Sequence, residues 1–167
     1  RRPRQMGPPL AGATATIQVD GGAGVDLETP GATGAVSTGG LTKTGTGTLT
    51  LSGANTYTGR TWVQQGTLAL SGSERIADLS ALVIDANAAF AMNGNVETVG
   101  SLSGAGDVLM GPFNPALIVG GDNTSTTFSG LISDNAISAS GSLVKVGTGT
   151  LMLLGNNTYH GPTTINS

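Results

Sequence analysis

The stretch KTGTGTLTLSGANTYTG at residues 43–59 returns as KVGTGTLMLLGNNTYHG at residues 145–161, displaced by 102 residues. The copies part only at Thr44/Val146, Thr50/Met152, Ser52/Leu154, Ala54/Asn156 and Thr58/His160. A long segment repeated this closely is one structural unit used at least twice, the signature of a repeat architecture. Within it, Thr48-Leu49-Thr50-Leu51 sets leucines on one side and threonines on the other, the two-residue period of a half-buried strand. Gly53-Ala54-Asn55 then punctuates, and short strands follow at residues 61–63 and 67–70, parted by Gln65-Gly66.

The same rhythm runs outward from this unit. Residues 14–19 alternate as a short strand does. Leu82 and Ile84, Phe90 and Met92, Val96 and Val99, Val108 and Met110, and Leu117 and Val119 are short alternating pairs. Between them stand Asn93-Gly94, Gly104-Ala105-Gly106, Gly111-Pro112 and Gly120-Gly121-Asp122-Asn123. No long segment carries a 3.6-residue apolar stripe, so the chain reads as all-β. Short strands at this spacing suit a sandwich, a barrel or a parallel β-helix. Three features favour the β-helix: a long internal repeat, turns of Gly, Asn, Thr and Ser rather than tight hairpins, and small or aliphatic apolar residues. At roughly 20–25 residues per coil, the copies lie four or five coils apart and the whole chain forms about six or seven. The expected organisation is a disordered lead-in over residues 1–12 and one β-helical segment over residues 13–167. Its repeat units lie near residues 40–70 and 142–167, the second truncated.

Composition narrows the function. The 167 residues are 10% charged and 4% aromatic, with 28 glycines, against roughly 25% charged residues in average soluble proteins. Net charge is −3, yet Arg1, Arg2 and Arg4 supply three of the seven cations, leaving an acidic body. Phosphate backbones need clustered Lys and Arg, so nucleic acid is excluded as a partner. There is no Cys, which removes disulfide, thiol and Cys-metal chemistry. No apolar run approaches the ~20 residues of a membrane helix, and the segment RRPRQMGPPLAG has no secretory h-region.

The string GSLVKVGTGTLML at residues 141–153, followed by GNNTYHGPTTI at residues 155–165, resembles the autotransporter-associated β-strand repeat. That unit is also known as the passenger-associated transport repeat of Gram-negative autotransporters. The copy at residues 40–68 matches from Leu41-Thr42-Lys43 through Asn55-Thr56-Tyr57-Thr58-Gly59 to Gly66-Thr67-Leu68. Residues 100–106 and 128–133 are similar to the spacer that precedes such repeats. The resemblance implies a right-handed parallel β-helix in the passenger of a type V secretion protein, exposed on or released from the surface of a Gram-negative bacterium. It also implies a translocator β-barrel as partner, which this chain does not contain, and host-cell glycans or proteins as ligands of an adhesin. In that family the repeat supports passage to the surface and folding there.

Most of the residues that could form a site also have a plain structural role. Lys43 and Lys145 are expected to be solvated at coil edges, where Lys discourages edge pairing. Asn55/Asn157 and Tyr57/Tyr159 are expected to fix turns and cover coil junctions, rather than to contact sugars. Trp62 has Thr164 as its counterpart and sits beside inward-facing Val63, so it is the one speculative binding residue, for a carbohydrate or protein. Gly21-Gly22-Ala23-Gly24-Val25-Asp26 matches the start of a calcium-binding nonapeptide, but Leu27 and Glu28 break the pattern and no second copy exists. Asp20, Asp26 and Glu28 are therefore read as a solvated acidic turn. Glu74, Asp78, Asp85, Glu97, Asp107, Asp122 and Asp134 stand mostly alone, although stacking would bring Asp85 near Asp107. His160, where the other copy has Thr58, is read as a surface turn. The sequence thus assigns no catalytic, cofactor-binding or metal-binding residue, and the expected function is a non-enzymatic stalk or adhesin scaffold. The alternative is a fragment of a carbohydrate-active β-helix enzyme, a polysaccharide lyase or hydrolase with convergent carboxylates.

Overall fold

A computed structural model of the protein describes residues 15–18, 25–27, 39–55, 57–134 and 140–166. Every strand pairing in it is parallel, and the strands form three sheets. The first sheet contains, in order, β1 (Ala15–Gln18), β3 (Leu41–Thr44), β5 (Thr61–Val63), β7 (Ala81–Ile84), β10 (Ser101–Gly104), β13 (Thr126–Phe128) and β16 (Leu151–Leu153). The second contains β2 (Val25–Leu27), β4 (Thr48–Leu51), β6 (Gly66–Leu70), β8 (Ala88–Ala91), β11 (Asp107–Leu109) and β14 (Ile132–Ser133). The third is built from β9 (Val96–Val99), β12 (Ala116–Val119), β15 (Ser142–Lys145) and β17 (Thr163–Ile165). The chain visits the sheets in turn, so it is an all-β parallel solenoid of about six turns. Among the described residues there is no helix, and none long and apolar enough to cross a membrane.

Alternation within each short strand builds the interior. Leu49, Leu68, Phe90, Val108 and Ile132 stack in register along the second sheet, all buried. Leu51, Leu70 and Met92 form a second buried row beside them. In the first sheet Val63 and Ile84 stack in register, and the turn of the chain brings Leu82 onto Leu102. Burying a Leu or Phe side chain is worth about 1.5–3 kcal/mol, so each turn gains stability only once its neighbour covers it. At the far end, Leu151 and Leu153 point to the same core but are only half-buried.

Two expectations need correction. Val96 does not face inward with Val99; the buried place in β9 belongs to Glu97, which pairs with Leu117. Apolar alternation missed this because the inward residue is charged. The second concerns the repeats, which are not a whole number of coils apart. Residues 41–44 lie in the first sheet, whereas their counterparts 143–146 begin in β15 of the third. The internal register is nevertheless the same: Leu41 pairs with Thr61 and Lys43 with Val63, as Leu143 pairs with Thr163 and Lys145 with Ile165. Each repeat therefore closes one complete coil on itself, wherever on the solenoid it starts.

Candidate functional site

The residues that recur in both repeats are fasteners. Lys43 is 0% exposed, not solvated as its sequence suggests. It occupies an inward place in β3, and its ammonium donates to the carbonyls of Thr44 (3.0 Å), Gly45 (2.8 Å) and Gln65 (2.9 Å). Three donors meet three backbone acceptors, two at the corner after β3 and one on the next coil. Gly45 makes this possible, since its φ of 74° turns the corner in a region other residues avoid. Lys145 repeats the device at 9% exposure, donating to Val146 O and, at 3.0 Å, to Gly147 O. Gly147 has φ 68°. The counterpart of Gln65 is Ser167, outside the described residues. A lysine placed in an aliphatic row looks like a solvent-facing residue only while its carbonyl partners are unknown.

Asn55 and Asn157 stitch neighbouring coils as expected of turn residues. The Asn55 amide donates to Gly53 O at 3.0 Å and to Arg75 O at 2.8 Å, while Asn157 Oδ1 accepts from Ile132 N–H at 2.9 Å. Tyr57 and Tyr159 both pack on the core, and each hydroxyl meets a threonine four residues on: Thr61 at 3.0 Å and Thr163 at 2.6 Å. In the first copy the chain continues to Ser80 Oγ at 3.0 Å and Gly59 O at 2.7 Å. Burial raises the Tyr57 hydroxyl well above its ordinary range, with Thr61 opposing and Glu97 adding to the rise.

Trp62 stands on β5 between its buried neighbours Thr61 and Val63, half-buried and outward. Its indole N–H donates to Asp85 Oδ1 at 2.9 Å, and the Arg60 guanidinium lies 4.1 Å from the ring centroid. The ring is thus fixed at its edge and on a face. Asp85 is occupied by this bond, and the register sets Asp107 beside Ala89 rather than beside Asp85.

Other acids regarded as solitary have partners. Asp134 is 1% exposed and receives the His160 amide at 2.8 Å, the His160 Nδ1 at 2.9 Å and the Gly141 amide at 3.3 Å. Burial alone would raise the Asp134 carboxyl, but the His160 amide and imidazole and the Gly141 amide outweigh it and hold it below the usual carboxylate range. The His160 side chain is 68% exposed, so it is a surface turn residue, tethered to the buried carboxylate of the preceding coil. Glu97 is 0% exposed and takes the amides of Arg75 (2.9 Å) and Ile76 (2.6 Å). Glu74 and Asp78 lie close enough to repel it. No group of three or more His, Asp or Glu that could hold a metal ion occurs among the described residues. Of the nonapeptide-like segment, Val25 and Asp26 fall in β2, while residues 20–24 and 28 lie outside the described residues, as does the 1–12 lead-in.

Comparison with known families agrees with this geometry. The model of the passenger-associated-transport-repeat matches residues 41–70 and 143–167, so the two self-closing coils are passenger-associated transport repeats. No curated protein and no solved structure matches the chain.

Proposed function

We propose that this chain is a structural segment of an autotransporter passenger, a right-handed β-solenoid carried to the surface of a Gram-negative bacterium or released from it. One observation carries the reading: the Lys, Asn and Tyr side chains that recur in both repeats are spent on fastening the fold, within a corner or between coils. Lys43/Lys145 plug corners, Asn55/Asn157 cross between coils, and Tyr57/Tyr159 clasp Thr61/Thr163. Such a unit suits vectorial folding, because a coil registered within itself needs no distant partner before it offers an edge to the next. Its partner during secretion is a translocator β-barrel, and it acts as a stalk or adhesin scaffold without catalysis of its own. External protease added to intact cells expressing the complete reading frame is expected to degrade epitopes from residues 40–166. Protection of those epitopes until the cells are lysed would overturn the reading.

The adhesin version is favoured by Trp62, whose indole is held by Asp85 and Arg60 in a place where the other repeat has Thr164. Loss of host-cell or glycan binding in Trp62→Ala, with an unchanged melt, would separate adhesin from plain stalk. The enzyme alternative finds less support, since the buried carboxyl groups of Glu97 and Asp134 are engaged by backbone amides.

A further inference from the structure

β9 is the outermost strand of the third sheet, and the chain beside it, residues 71–80, forms no strand. The two are joined by a seam in which side chains replace much of the usual ladder. Glu74 N–H donates to Val96 O at 3.1 Å, and Val96 N–H donates to Ser73 Oγ at 3.1 Å. The Thr98 amide and hydroxyl both reach the Glu74 carboxylate, at 3.3 and 3.1 Å. In return, the amides of Arg75 and Ile76 donate to the two oxygens of the Glu97 carboxyl. Gly100 N–H closes the far end on Ser80 O at 2.9 Å.

Glu97 occupies a core place in this seam, and an ionised carboxylate there loses its hydration. The groups that face it are mostly of its own sign or neutral. Residues 71–80 bring Glu74 and Asp78, the repeat turn brings the Tyr57 hydroxyl, and β12 brings uncharged Leu117. The Arg75 guanidinium packs over Gly72 and makes no ion pair with Glu97.

We propose that residues 71–80 form a proton-dependent latch: with Glu97 neutral they stay seated on the edge of β9, and ionisation of Glu97 beside Glu74 and Asp78 lets them lift, baring the amides of Val96 and Thr98. The latch goes beyond the scaffold reading and does not depend on it. Burial pushes the Glu97 carboxyl up to about 7, with the Arg75 and Ile76 amides opposing and Glu74 and Asp78 adding to the rise. The closed seam thus keeps a proton that an open, hydrated carboxyl releases. Closure therefore weakens as pH rises from the ordinary carboxylate value to about 7 and levels off above it.

Hydrogen exchange on the intact chain between pH 5 and 8, corrected for intrinsic rates, reads the latch at the amides of Arg75, Ile76, Val96 and Thr98. Their protection is expected to fall on the order of 100-fold across that range, while amides of the β8–β11 ladder hold theirs. Glu97→Gln keeps an acceptor without the charge and is expected to abolish the dependence. The carboxyl carbon of Glu97, followed by NMR in the unaltered chain, is expected to titrate near neutrality. Protection independent of pH, a slope that survives in Glu97→Gln, or a carboxyl carbon titrating at the ordinary carboxylate value would each overturn the latch.

Discussion

Lys43 and Lys145 hold equivalent repeat positions on different sheets of the solenoid, and each drives its ammonium into the corner carbonyls that follow its own strand. The contact travels with the repeat rather than with the sheet. It is also costly to break, because a buried carbonyl left without a donor loses about 1–3 kcal/mol.

Lys43→Met is accordingly expected to destabilise the protein by roughly 2–4 kcal/mol, since three acceptors lose their partner inside the core. Lys145→Met, at the end of the described solenoid, is expected to cost less. Urea unfolding followed by far-ultraviolet circular dichroism checks both, and equal midpoints for Lys43→Met and the wild type would refute the role given to the ammonium.

Core truncations should grade along the axis. Leu68→Ala removes a side chain covered by Leu49 below and Phe90 above, and a cost of about 2–5 kcal/mol is expected. Leu151→Ala, on a half-buried position, should cost well under half as much. A thermal melt ranking the two in the opposite order would contradict the stacking described for the core.

The Asp134–His160 tether gives a pH dependence of its own. The Asp134 carboxyl is held below its ordinary range in the folded chain, so its contribution is complete above the unfolded carboxylate value, roughly 3.9. It is lost as pH falls through the lower folded value. Asp134→Asn is expected to flatten that acid limb in melts taken from pH 5 downward. An acid limb identical to that of the wild type would show that the tether adds nothing.

Trp62 is the only tryptophan, so its fluorescence reports one environment. Arg60→Ala uncovers a face of the ring and should shift emission to longer wavelength, with a stability loss of about 0.5–1 kcal/mol. Emission that stays where it was would mean that the guanidinium does not sit on the ring in solution.

Much of this fold is written in the sequence, and the exceptions share a cause. The alternation at residues 48–51, the Gly/Asn corners and the duplicated segment lead directly to a parallel solenoid, because strand period and turn chemistry are local properties. Lys43, Lys145 and Glu97 are such exceptions, because apolarity marks an inward place in a sequence and these three buried residues are charged. Their burial is compensated by backbone groups, those of the following corner for both lysines and those of a neighbouring turn for Lys43 and Glu97, which no apolar pattern records. His160 was correctly placed on the surface, but Asp134, 26 residues away, became its partner only through stacking. Trp62 was legible as an outlier between copies; its clasp by Arg60 and Asp85 was not.

That each repeat closes its own coil, and does so from different starting sheets, has a consequence for the shape of longer assemblies. The repeats carry no information about azimuth. The lengths of the connecting stretches decide where around the axis each new copy begins. Adding or deleting one face-length of spacer would rotate everything beyond it by a third of a revolution while leaving the strand pairing inside each repeat, Leu41 with Thr61 and Leu143 with Thr163, as it is. Loops displayed on such a rod can therefore be re-aimed by changes in spacing alone, with each repeat still closing its own coil.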